Sequence, residues 1–193
     1  MNDQVRKEFE SAYLYLSMAA WMEDQTLPGF AAWLRLQARE EAGHAMKIFE
    51  HLIDRGCRVA LQPLAGPPTT FKTPLDVFEQ VKKHEEKVTR SIDELYGLAV
   101  DDRDYASQVF LEWFITEQVE EEKNSTQVLE NVRRVGDNQA ALVMLDRELG
   151  QRGATVEAVE VDRRGERLRV EGTIFVVSCG AVNSAALLLR SAG

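Results

Sequence analysis

The stretch Glu40-Glu41-Ala42-Gly43-His44 constrains this chain most tightly, because the helical pattern around it asks for burial. Leu34, Ala38, Ala45, Ile48 and Leu52 recur at helical spacing, and their stripe passes through Glu41 and beside His44. A glutamate and a histidine three residues apart share one helical face. A carboxylate on the buried side needs a partner, and a metal ion suits a carboxylate–imidazole pair. Alone the spacing is a weak signal. Its meaning depends on whether other helices bring carboxylates to meet it.

Residues 3–24 carry Val5, Ala12, Tyr15, Ala19 and Met22 on one helical face, with Glu8 on that face and Glu10 on the other. Thr26-Leu27-Pro28-Gly29 breaks this helix, and a second runs from about 30 to 55, ending at Gly56. Residues 57–73, with Pro63, Gly66, Pro67 and Pro68, are too long for a tight turn and could cross the length of a bundle. Thr73 caps a third helix and Pro74 opens it; Val77, Val81, Val88, Ile92 and Leu95 form its apolar face, interrupted by Glu85. Gly97 is expected to close it, and Asp101 or Asp102 to start a fourth helix over about 102–134. There Phe110, Leu111, Phe114 and Ile115 precede the acidic run Glu117–Glu122, and Val128, Leu129 and Val132 follow it. Gly136 stops that helix, and a short fifth covers about 138–149, with Ala141, Leu142, Leu145 and Leu149 as its apolar side.

Each of four long helices therefore places a carboxylate where its own pattern points inward: Glu8, Glu41, Glu85 and Glu121, with His44 beside Glu41. Such groups cannot all stay charged side by side without a counterion. Oxygen ligands with a single imidazole suit iron or manganese, and less specifically zinc. A four-helix bundle with carboxylates from each helix is the usual scaffold of a di-iron centre. The charge agrees, since residues 1–150 hold 27 acids against 17 bases. The net charge of −9 argues against nucleic acid and anionic membranes as partners and fits attraction of cations. Cys57 and Cys179 are too few and too scattered for a disulfide framework; Cys57 is expected to be half-buried, and a reducing, cytoplasmic location is expected. No apolar run reaches about 18 residues, and Met1-Asn-Asp-Gln does not open an export signal.

After Gly150 the texture changes. Thr155–Val161, Arg167–Glu171 and Ile174–Ser178 read as strands, with a turn at Asp162–Gly165, and Asn183–Arg190 reads as a helix. The expected fold is all-α over residues 1–150: a four-helix bundle with a long crossover between its second and third helices and a short fifth helix. Residues 151–193 add a small α/β-like appendage.

Several motifs give residues 1–152 a resemblance to the bacterial non-haem ferritins. They are Glu8-Phe-Glu-Ser-Ala-Tyr-Leu-Tyr-Leu-Ser-Met, Gln37-Ala-Arg-Glu-Glu-Ala-Gly-His, His84-Glu-Glu, Glu117-Gln-Val-Glu-Glu-Glu and Leu145-Asp-Arg-Glu-Leu. The resemblance implies a first iron site of Glu8, Glu41 and His44, and a second of Glu41, Glu85 and Glu121 with Gln118 close by. It implies an adjoining third site of Glu40, Glu117, Glu120 and Glu121, and makes Tyr15 the tyrosine beside the centre. The implied activity is oxidation of Fe²⁺ by dioxygen or peroxide, with ferric oxide mineral stored inside a homo-oligomeric 24-subunit shell. Two departures stand out: the first helix is about two turns shorter than the family's, which should fray it near Glu8, and Glu10 replaces a tyrosine or apolar group. Met18 at helical spacing reads as core rather than as a haem ligand. The alternatives are a non-catalytic or assembly-defective shell subunit, or a di-iron oxygenase. The oxygenase would usually show a second Glu-x-x-His, which the fourth helix lacks.

Residues 153–193, through Gly172-Thr-Ile-Phe-Val-Val-Ser-Cys-Gly-Ala-Val-Asn-Ser, resemble a fragment of the glucose-methanol-choline flavin oxidoreductases. That family's Gly-x-Gly-x-x-Gly loop is absent here, so no flavin is expected.

Overall fold

A computed structural model of the chain describes residues 1–151 and the backbone of 156–163, 166–177 and 186–189. It falls into two units, Met1–Arg152 and Gly153–Gly193. The first contains α1 (Asn2–Asp24), α2 (Pro28–Asp54), α3 (Pro74–Asp101), α4 (Tyr105–Val135) and α5 (Gln139–Gly150).

Local chemistry accounts for most of the helix ends. Thr73 Oγ1 accepts the Asp76 N–H at 3.1 Å and Asn138 Oδ1 accepts the Ala141 N–H at 3.1 Å. Each such cap stabilises its helix by about 1 kcal/mol. Gly136, at φ +52°, ends α4 in a backbone conformation that side chains disfavour. Two expected boundaries are corrected. Gly97 does not close α3, which continues to Asp101, since an isolated glycine costs a helix only about 1 kcal/mol relative to alanine. The start of α4 lies at Tyr105 rather than 102, because Asp104 supplies the cap, accepting the Ser107 N–H at 3.2 Å.

Two apolar clusters fill the bundle. One gathers Tyr15, Met18, Met22, Phe30, Trp33, Phe78, Val81, Val128 and Leu129. The other gathers Val5, Ala45, Ile48, Val88, Ile92, Leu111 and Phe114. Each large side chain buried in this way stabilises the fold by about 1.5–3 kcal/mol. Chain direction follows from the order in which each helix visits the clusters. Going forward, α2 and α3 both pass from the first cluster to the second, whereas α1 and α4 pass from the second to the first. α2 and α3 therefore run parallel, and residues 55–73 must return along the bundle's length. A helix of 27 residues spans about 40 Å, within reach of a crossover of this size.

The N-terminus of α2 has no cap from its own segment. The Phe30 N–H instead donates to Asp146 Oδ1 of α5 at 2.9 Å, a buried bond to a carboxylate at the positive end of the helix dipole. Gly29 makes this docking possible: a Cβ there would lie 1.7 Å from the Asp146 carbonyl oxygen. Gly29→Ala should therefore displace α5 and break the Asp146 bond, at a cost of about 3 kcal/mol. A melting temperature unchanged from the parent would contradict that.

In the second unit β1 (Val156–Arg163), β2 (Glu166–Val177) and β3 (Ala186–Leu189) form an antiparallel sheet in that order. β1 and β2 pair from Arg163↔Glu166 to Val156↔Ile174, with a bulge between Val156 and Ala158. The helix expected over 183–190 is contradicted where the backbone is described. Ala186–Leu189 is a strand paired with Ile174–Val177, because a four-residue apolar run fits either element and cross-strand pairing decides it. The described part of this unit is thus all-β rather than α/β. Two separately expected strands also merge into the single β2. Residues 164–165 of the expected turn, Cys179 and the Gly180–Ser184 segment lie outside the described residues.

Candidate metal centre

The polar residues of the bundle interior lie where each helix passes from one apolar cluster to the other. Glu8 lies between Val5 and Tyr15, Glu41 and His44 between Ala38 and Ala45, Glu85 between Val81 and Val88, and Gln118 and Glu121 between Phe114 and Val128. All six are buried, Glu8, Glu41 and Glu85 to 1% exposure. Glu10, by contrast, is half-buried and paired with Arg6 at 2.5 Å, as its position on the other face requires.

Glu8, Glu41 and His44 bring one ligand atom each within 4.8 Å of one another. The His44 ring stands edge-on to Trp113 and Phe114, with centroids 5.5 and 5.9 Å away, and its Nδ1 lies 3.6 Å from Glu41 Oε2. Lys47 Nζ sits 4.0 Å over the Trp113 ring, helping to hold the indole against the histidine. Glu85 accepts a hydrogen bond from the Tyr15 hydroxyl, and Gln118 Nε2 approaches its Oε2 at 3.4 Å and Thr89 Oγ1 at 3.2 Å. Gln37 Nε2 donates to Glu40 at 2.9 Å and to Glu121 at 3.0 Å, joining two carboxylates of the expected third site. The other two are farther from the interior: Glu117 is half-buried and Glu120 exposed.

Burial followed by the nearby Glu41 charge pushes the Glu8 carboxyl well above its usual range. Glu41 is raised likewise by burial and then by Glu85. Glu85 is raised by burial, against the opposing hydrogen bonds from Tyr15 and Gln118. Tyr15 is raised by burial and by Glu85, which keeps the phenol protonated and donating. His84, packed edge-on to Tyr15 and bonded to Ser11 at 2.7 Å, is lowered to about 4 by burial and by Lys87. His51 stacks on Phe110. Both rings pack against an aromatic neighbour. Cys57, expected to be half-buried, is exposed beyond the end of α2.

Both Glu41 oxygens and Glu8 Oε2 are buried with no amide, hydroxyl or ammonium donor, the two carboxyls facing each other. A buried carboxylate without donors is costly, and a divalent cation is the group that removes that cost. The donor set of hard oxygens and one imidazole matches iron, manganese or zinc.

Two supporting residues had no signal of their own in the sequence reading. Gln4, 1% exposed, donates from Nε2 to Glu8 Oε1 at 2.6 Å and accepts from Ser91 Oγ at 2.6 Å; Ser91 in turn accepts from Lys7 Nζ at 2.7 Å. This chain occupies one Glu8 oxygen and leaves Oε2 turned to the cluster. Gln37 plays a similar part for Glu40 and Glu121. Each glutamine sits one turn before an inward glutamate on the same face, which is the pattern that could have found them. Gln4→Leu should weaken binding at the Glu8 site by about 10–100-fold, the usual range for losing an outer-shell partner. Anaerobic titration with Fe²⁺ checks it, and an unchanged first affinity would contradict it.

Carboxylates and a histidine gathered in the middle of a four-helix bundle define a metal-binding helical-bundle protein. The chain belongs to the ferritin family, whose ferritin-like domain matches residues 1–135. It is 39% identical over 152 residues to the bacterial non-heme ferritin of Bacteroides fragilis, covering 79% of this chain and 94% of that one. Its identity to the bacterial non-heme ferritin of Staphylococcus aureus is 36%, covering 92% of that protein. Among solved structures, an open-pore ferritin from the hyperthermophilic archaeon Archaeoglobus fulgidus superposes with a TM-score of 0.77 at 44% identity. That match covers 77% of this chain and 92% of the other.

Proposed function

We propose that residues 1–150 serve iron storage as a ferroxidase, binding Fe²⁺ at a paired site and oxidising it for deposition as ferric mineral. Glu8, Glu41 and His44 hold one ion, and Glu41, Glu85 and Glu121 the other, with Gln118 beside it and Glu41 shared. The observation that carries this reading is the set of buried oxygens of Glu8 and Glu41, which face each other beside His44 with no amide, hydroxyl or ammonium donor. Each Fe²⁺ gives up one electron; dioxygen takes two electrons and two protons and leaves as hydrogen peroxide, or peroxide itself serves as the oxidant. Carboxylates favour this step because hard, anionic ligands stabilise Fe³⁺ over Fe²⁺, and two ions about 3–4 Å apart can act on one oxidant. Tyr15, held on Glu85, is placed to supply an electron or a hydrogen bond. Glu40, Glu117, Glu120 and Glu121 form a third site through which iron leaves. No helix among the described residues is long and apolar enough to cross a membrane, and we place the protein in the cytoplasm.

Addition of Fe²⁺ and oxygen should produce a ferric absorbance far faster than in protein-free buffer. The assembly we propose is a homo-oligomeric shell of 24 subunits. From a chain of 21.8 kDa that is roughly half a megadalton, read by light scattering after size exclusion. A stable monomer or dimer would contradict storage in a shell. Residues 151–193 we assign to a C-terminal extension outside the iron chemistry.

A further inference from the structure

α1 packs along α2 and α3 along α4, whereas α1 and α3 touch only sparingly. A cavity of about 430 Å³ opens in that seam. Its walls carry four cations, Arg6, Lys7, Lys87 and Arg90, against two carboxylates, Glu10 and Glu94. That is a surplus of positive charge on a chain whose net charge is −9. Arg6 is taken up by Asp3 at 2.8 Å and Glu10 at 2.5 Å, and Lys7 by Asp3 at 3.2 Å and Ser91. Lys87 and Arg90, both exposed, make no ion pair with the described residues. The floor is polar: Gln4 and Ser11 are buried to 1% and 0%, Ser91 to 8%, at a seam where two helices would ordinarily meet through apolar groups.

We infer that this seam between α1 and α3 is a binding site for a phosphate-class oxyanion. A metal cation entering it would meet repulsion, and an apolar ligand would desolvate two unpaired cations. A tetrahedral oxyanion supplies several acceptor oxygens, which an arginine fork and a lysine ammonium next to each other can bind together. The volume exceeds that of a bare phosphate, so it admits the ion with its water or the head of a phosphate monoester. The site also adjoins the metal centre, because Lys7, Ser91 and Gln4 lie in its wall and end on Glu8. Phosphate held there would reach the protein without entering the carboxylate cluster.

Calorimetric titration of the iron-free protein with inorganic phosphate, against chloride of matched ionic strength, tests this directly. Saturable binding of about one phosphate per chain is expected. The double variant Lys87→Ala/Arg90→Ala, on exposed positions that leave the core intact, should weaken it at least about tenfold. Lys123→Ala on α4 should leave it unchanged. Competition by glycerol phosphate would mean that the pocket takes phosphate monoesters, and its failure to compete would restrict the ligand to the free ion. Heats no larger than those of chloride, or phosphate binding equal in the double variant, would overturn the proposal. Because no iron is present, either result leaves the iron-oxidation reading untouched.

Discussion

Glu41→Ala slows the initial oxidation of Fe²⁺ at least tenfold, equivalent to about 1.4 kcal/mol or more of lost transition-state stabilisation. The reason is its position. Burial and the surrounding Glu85, Glu121 and Glu40 charges raise its carboxyl, so it faces the whole carboxylate layer, while His44 Nδ1 lies 3.6 Å from its Oε2. Removing it strips one ligand from both proposed ions, and a paired site that loses its shared ligand loses the pairing. His44→Ala should differ in kind: it removes a ligand from one ion only, so the slow variant retains one tight Fe²⁺ per chain where Glu41→Ala retains none. Stopped-flow ferric absorbance reads the rate and anaerobic titration the stoichiometry. A Glu41→Ala protein oxidising iron at the parent's rate would remove these residues from the chemistry.

Glu41→Gln raises the melting temperature of the metal-free protein at neutral pH while it abolishes fast oxidation. The folded protein holds the carboxyls of Glu8, Glu41 and Glu85 above their usual value, chiefly through burial. Each therefore binds its proton more tightly folded than unfolded. The associated stability is fully present below the unfolded carboxyl pKa and is lost as pH rises through the folded one. His84, lowered to about 4 by burial, and His51, also lowered by burial, oppose this trend, because each is neutral when folded and gains stability as pH rises toward the unfolded imidazole value. Parent and variant share both histidines and the permanently charged Asp104, so the carboxylate effect is read as a difference: between about pH 5 and about pH 8 the melting temperature of the metal-free parent should fall relative to that of the Glu41→Gln protein. Adding a redox-inert divalent ion such as Zn²⁺ to the parent should release protons and restore the melting temperature. Parallel pH slopes for parent and variant would contradict this account of the buried carboxylates.

The centre was legible from sequence to the extent that helical periodicity carries burial. Glu8 and Glu10 are two residues apart, and the stripe through Val5, Ala12 and Tyr15 separated the buried one from the one paired with Arg6. The same logic placed Glu41, Glu85 and Glu121 inward, while the length and prolines of residues 57–73 pointed to the crossover that the parallel α2 and α3 require. What escaped had no hydrophobic signature. Gln4, Gln37 and Ser91 are polar residues whose role lies in which atom they hydrogen-bond, and periodicity is silent on that. The Asp146 cap on α2 joins residues 116 apart in sequence, so no local cap rule could find it. Ala186–Leu189 failed for a related reason: its partner strand, not its own composition, sets its conformation.

The sharing of Glu41 between two ions is the central claim, and anomalous diffraction at the iron edge from anaerobically loaded crystals tests it most directly. Two peaks per chain are expected, one bounded by Glu8, Glu41 and His44 and the other by Glu41, Glu85 and Glu121, with Glu41 reaching both. A single peak away from Glu41, or none inside the bundle, would contradict it.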